Sequence, residues 1–153
     1  DNDERMIFFT KGVIETVKKL NWAPDIIHLH GWFTALFPLY INTYYKDDPI
    51  FSNSKIITSV YKKDFEGVLS NDFYNKVAFD EIPADHIKNL KKADFENLVQ
   101  LSLNFSDGFV MADSETPKSI ETYSHKKEIP GLTYEASQDK DAFVNFYSNH
   151  ILK

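Results

Sequence analysis

The segment Pro24-Asp25-Ile26-Ile27-His28-Leu29-His30-Gly31-Trp32-Phe33-Thr34-Ala35-Leu36 constrains the fold more than any other part of the chain. A turn over residues 22–25 feeds a short apolar strand at 26–29. Two histidines fall at its end, and a glycine then opens a helix starting near Phe33. In open α/β sheets ligands sit just beyond the carboxyl ends of parallel strands, where amides of the next helix point outward. Two imidazoles and an indole at such a place are the strongest functional lead in the sequence.

The rest of the chain alternates helix and strand around this unit. Met6, Phe9, Val13, Val17 and Leu20 recur at spacings of three and four, which predicts a helix over 3–20. Asp3 and Glu4 in its first turn and Lys18 and Lys19 in its last suit the macrodipole. Glu4 and Arg5 read as a helix-end charge pair. Gly12 costs about 1 kcal/mol against Ala in a helix interior, so a close neighbour is expected to need the room. The helix after Gly31 extends to Tyr45, with Leu36, Leu39, Tyr40 and Ile41 inward and Pro38 early, where its missing N–H matters least.

Residues 55–61 are β-branched and read as a second buried strand, followed by a polar loop over 62–71 that contains Gly67. Residues 73–90 carry helical pieces broken at Pro83, and 93–105 form a helix apolar nearly all round. A third strand follows at 109–112. Pro117 then suits the first position of a helix capped by Ser114 or Thr116. A fourth strand is expected at 131–134, and a last helix at 139–152 with Phe143, Phe146/Tyr147 and His150/Ile151 on one face. Continuous apolar strands argue for a parallel sheet covered on both faces. The expectation is an α/β, doubly wound, mostly parallel, Rossmann-like sheet in a single domain over 1–153.

Such sheets usually open with a strand and a glycine-rich turn. This chain opens on a helix, and its five glycines form no G-x-G-x-x-G or Walker pattern. The sheet is therefore expected to lack its first strands and to expose an edge through which homodimers form. With 42% hydrophobic residues, among them 13 Phe and 8 Tyr, one domain has ample core. A net charge of −6 with scattered Lys pairs argues against a nucleic-acid partner. The absence of cysteine removes disulfides, thiolate metal sites and Cys nucleophiles, and fits a reducing cytoplasm. The longest apolar run, residues 32–41, is half of what a membrane span needs.

His28 and His30, two apart on a strand, point to one side and have a spacing that can seat a metal. No third ligand is evident nearby, and no cofactor is implied. His28 reads as a structural histidine bonded to backbone, His30 as the better cleft-lining group. Trp32 either stacks on a sugar or nucleobase or wedges between strand and helix. Asp64 and Glu66 read as solvated loop acids without partners, and Gly67 as a turn former that lets the loop approach a ligand.

Asp1-Asn2-Asp3-Glu4-Arg5-Met6-Ile7-Phe8-Phe9 and the 24–36 segment resemble stretches of the first catalytic domain of bacterial glycogen and plant starch synthases. There they read like D-N-x-x-R-F-x-x-F and P-D-[IV]-[IV]-H-x-H-D-W-x-[TA]-[AG]-L. Residues 59–68 resemble the T-V-H-N-L-x-[YF]-Q-G loop, and 106–120 the A-D-x-[IV]-x-x-V-S-x-T-Y-A-x-E-I unit. The resemblance implies a retaining, metal-free glycosyltransferase of GT-B architecture, in which two Rossmann-like domains close on a cleft. Glucose passes from ADP-glucose, or UDP-glucose, to an α-1,4-glucan. His30 and Tyr61 would be its catalytic groups, and His30, Trp32, Tyr61 and Gly67 its substrate contacts. The family's K-x-G-G-L loop would lie upstream of Asp1, so the chain reads as a piece or a short one-domain relative.

Two positions depart from the pattern. Gly31 stands for the aspartate of H-D-W, and Tyr61 for the histidine of T-V-H-N-L. A phenol can hydrogen-bond a sugar hydroxyl but offers no near-neutral imidazole. An inactive module that binds a nucleotide sugar, a glucan or a partner polypeptide is the alternative.

Overall fold

Four strands carry the fold of the computed structural model, which describes residues 1–79 and 81–153. β1 (Ile26–His30), β2 (Lys55–Val60), β3 (Gly108–Met111) and β4 (Gly131–Leu132) lie side by side in chain order, every neighbouring pair parallel. Register sets Leu29 beside Thr58, Thr58 beside Phe109, and Val110 beside Leu132.

Alternation then divides the side chains between two faces. On one face Leu29 and Ile56 pack with α1 (Asn2–Lys19), α2 (Leu36–Tyr44), α3 (Phe73–Ala78) and with Leu98 and Leu101 of α4 (Phe95–Asn104). Val60, Phe109 and Met111 continue that layer against α4 and Ile120 of α5 (Lys118–Lys126). On the other face Ile57, Val110 and Leu132 meet Phe146 of α7 (Lys140–Phe146) and Ile151 of the π-helical turn that follows, with the short α6 (Tyr134–Ser137) leading in. The parallel α/β architecture with both faces covered is thus as the apolar strands predict.

A hydroxyl cluster sits inside the helical layer. Thr58 Oγ1 lies 2.8 Å from Ser102 Oγ and 2.9 Å from Ser106 Oγ, so the three buried groups satisfy one another. Asp107 ties the start of β3 to β2: its N–H donates to the Ile56 carbonyl and its carboxylate accepts from the Ile56 N–H.

Several local expectations are corrected. Gly12 has nothing within 4 Å of a Cβ placed on it, so no neighbour demanded its lack of a side chain. Glu4 pairs with Lys76 at 2.8 Å rather than with Arg5, because Lys76 also reaches the buried Asp3 at 2.8 Å and draws both carboxylates. The helix predicted from Phe33 begins as a 3-10 turn (Trp32–Thr34) and becomes α-helical only at Leu36. Pro117 precedes α5 rather than opening it, and neither Ser114 nor Thr116 caps it; Thr116 donates instead to the Asp113 carbonyl. The fourth strand is two residues long and gives way to α6 where its end was expected, and the helix expected over 139–152 is α7 followed by the π turn.

Candidate functional site

β1 and β2 end together, and the loops leaving them build the site. Gly31 leaves β1 at φ 76 and ψ 168, a backbone region essentially restricted to glycine. Its N–H still reaches the Ser59 carbonyl, so the turn stays attached to β2. The turn throws Trp32 over the carboxyl end of the sheet, where its ring packs on Phe33 and Phe65. The indole N–H donates to Asp64 at 2.9 Å. This bond pins the loop after β2, which bends at Gly67 with φ 77. The expectation that Asp64 and Glu66 lack partners is therefore corrected: Asp64 accepts from Trp32, and Glu66 pairs with Lys63 at 2.7 Å.

Between these loops opens a cavity of about 250 Å³ lined by Gly31, Trp32, Ser59, Tyr61, Lys62 and Asp64, among others. It offers an indole edge, a phenol, the hydroxyls of Thr58 and Ser102, one ammonium and the two carboxylates of Asp64 and Asp113. This is the polar-on-apolar lining that holds a small polar ligand. Gly67 is not in the wall; it shapes the loop that is.

Beside the cavity runs a string of polar side chains on the face opposite the helical layer. The His28 ring nitrogens lie 2.6 Å from the Tyr147 hydroxyl and 2.7 Å from the Ser59 hydroxyl. The His30 ring stacks on His28 with centroids 4.3 Å apart, and its Nδ1 lies 2.8 Å from the Tyr61 hydroxyl. Burial, and secondarily the neighbouring His30, lowers His28 to about 4, so its ring is neutral at physiological pH. A neutral imidazole has one donor and one acceptor nitrogen, and hydroxyls on both sides serve either tautomer.

His28 is therefore structural, but through two side-chain hydroxyls rather than backbone as the sequence predicted. His30 is exposed and borders a groove along the outer edge of β1, not the cavity; it touches the cavity through Tyr61. Ser59 and Tyr147 are the groups that sequence reasoning missed. Ser59 is found only through the strand register, and Tyr147 only because the C-terminal turn folds back across the sheet. Among the described residues no group of three or more His, Asp or Glu side chains could hold a metal ion. No helix among them is long and apolar enough to cross a membrane.

A parallel α/β domain with a loop-built cavity at its strand ends has the architecture of doubly wound ligand-binding domains. The chain belongs to the starch synthase catalytic domain family, whose model matches residues 1–135. It is 30% identical over 146 residues to a glycogen synthase of Clostridium perfringens, and 28% identical over 148 residues to one of Thermotoga maritima. Each match covers 95% of this chain and 30% of the relative. Its fold is similar to that of the catalytic domain of starch synthase IV from Arabidopsis thaliana bound to ADP and acarbose. That likeness has a TM-score of 0.61 at 19% identity, over 87% of this chain and 30% of that one. The chain thus spans about a third of the length of these relatives.

Proposed function

We propose that this domain contributes one wall of a glucosyl-transfer cleft, receiving glucose from ADP-glucose, or UDP-glucose, and passing it to an α-1,4-glucan in the cytoplasm. The observation that carries the reading is the cavity at the ends of β1 and β2, with Trp32, Tyr61 and Asp64 in its wall. Trp32 presents an apolar surface to a sugar ring. Tyr61, held by His30, hydrogen-bonds a sugar hydroxyl, and Lys62 offers the charge a diphosphate needs. Gly67 gives the loop its turn. His30 acts by orienting the phenol. The ADP and acarbose in the structural neighbour are the same chemical classes of ligand.

Tyr61 and Gly31 favour a second reading, a non-catalytic module binding nucleotide sugar or glucan, because neither an imidazole nor a carboxylate stands at those positions. Calorimetry with ADP-glucose, maltoheptaose and ADP, run beside an assay of labelled glucose transfer to glycogen, separates the two. Transfer supports the enzyme, binding without transfer supports the module, and neither rejects both.

A further inference from the structure

The cavity at the strand ends continues inward between the sheet and α4, and its buried end has a chemistry of its own. Ala35, Thr58, Val60, Phe95, Val99 and Ser102 line that end, none of them more than 5% exposed. The more exposed Lys62, Asp64 and Asp113 stand at the mouth. We infer that the buried end is a subsite for one uncharged sugar ring, in which Ser102 accepts a hydrogen bond from a ring hydroxyl. This rests on the sugar-binding reading above and adds to it a residue, Ser102, that selects which part of a ligand enters.

The hydroxyls at the inner end have their hydrogens fully committed. Ser106 Oγ donates to the Ser102 carbonyl at 2.8 Å, which uses its one hydrogen. At the 2.9 Å contact between Ser106 and Thr58 the donor is therefore Thr58. At the 2.8 Å contact between Thr58 and Ser102 the donor is then Ser102. The relay leaves Ser102 Oγ with two lone pairs and no hydrogen to offer, on a residue only 2% exposed. Among the described residues no group donates to it. A ligand hydroxyl satisfies such an acceptor, whereas a phosphate or carboxylate oxygen, itself an acceptor, gains nothing there.

Shape and charge agree with that requirement. Val60, Phe95 and Val99 give an apolar surface for the C–H faces of a ring. At the mouth, Asp64 and Asp113 each keep one carboxylate oxygen free, since Trp32 bonds one oxygen of the first and the Glu115 N–H one of the second. Acceptors at both ends favour a ligand rich in donors. Lys62 is paired with Glu115 at 3.5 Å, and the inner end has no cation for an anion to meet. The volume of about 250 Å³ is below the roughly 300–1,000 Å³ of pockets for drug-sized ligands. It suits one pyranose ring, with any nucleotide left outside.

NMR titration of the protein with glucose should give a dissociation constant on the order of 1–10 mM, with no nucleotide attached. Among the monodeoxy analogues of glucose, one should bind roughly fivefold more weakly. Its deoxyfluoro counterpart should be equally weak, because fluorine cannot donate to Ser102. In Ser102→Ala, glucose itself should lose the same factor and that analogue nothing further; a merely structural serine would weaken every ligand alike. Binding of ADP-glucose without binding of glucose would overturn the inference and leave the proposed function standing. So would a flat analogue series, a deoxyfluoro sugar as tight as glucose, or displacement of glucose by ADP. Absence of binding by glucose, maltoheptaose and ADP-glucose alike would overturn both. If Ser102→Ala fails to fold, the analogue series on the unaltered protein decides.

Discussion

The phenol of Tyr147 and the imidazole of His28, 119 residues apart in the chain, meet at 2.6 Å. That contact fastens the C-terminal turn to the first strand and leaves the other ring nitrogen for Ser59. It also buries an imidazole in its neutral form, and the burial has a thermodynamic signature.

His28 titrates at about 4 in the native protein and near 6.5 when unfolded. Between those values the unfolded chain binds more protons, so stability falls as pH drops through the window. The contribution is complete above about 6.5 and amounts to roughly 2–3 kcal/mol. Urea unfolding at pH 4.5 and 7.5 should show that difference, and His28→Asn should flatten it. The carboxyl groups of Asp48 and Asp94 are lowered below the ordinary carboxylate range, the first by hydrogen bonding from Ile50 and Lys18, the second by Lys92 and Asn97 against the opposing effect of burial. They act at lower pH and leave this window to His28.

Gly31 and Gly12 should respond oppositely to alanine. Both have open space where a Cβ would go, so neither effect is steric. Gly31→Ala forces a side chain onto a backbone at φ 76 and ψ 168, and should cost about 1–3 kcal/mol. Gly31→Asp, which supplies the residue of the related H-D-W motif, should cost as much. Gly12→Ala in the middle of α1 should gain about 0.5–1 kcal/mol. Denaturant midpoints at constant m-value measure all three.

Tyr61→Phe removes one hydroxyl that His30 holds at 2.8 Å. If Tyr61 binds a sugar hydroxyl, the variant should lose about 1 kcal/mol, or roughly fivefold, in ligand affinity. Its melting temperature should hardly change, since the group is on the surface. Calorimetry with ADP-glucose or maltoheptaose beside a thermal melt provides both readings; unchanged affinity would remove Tyr61 from the site.

Gly131→Ala tests the far edge of the sheet. A Cβ there would fall on the ring of Phe109, its register partner, which is only 2% exposed and has little room to yield. The variant should lose about 1–3 kcal/mol without altering ligand binding, as neither residue borders the β1–β2 cavity.

Order and type of the main elements were legible because each rests on local chemistry. The stripe from Met6 to Val17 can be buried only as a helix, and 55–60 only as a strand with both faces covered. The place of the cavity was legible too, since Gly31 after an apolar strand implies a turn whatever follows. Its wiring was not. Ser59 joins His28 only through the β1–β2 register, and Tyr147 only through the return of the last helices over the sheet. The pairing of Trp32 with Asp64 likewise depends on how the loop after β2 closes.

Sequence by itself therefore determined the parallel α/β scaffold and the location of a cavity at its strand ends, because periodicity and turn chemistry act over a few residues. Tertiary structure decided which side chains meet and which imidazole is held neutral. Those depend on contacts between residues far apart in the chain, and no local pattern encodes them.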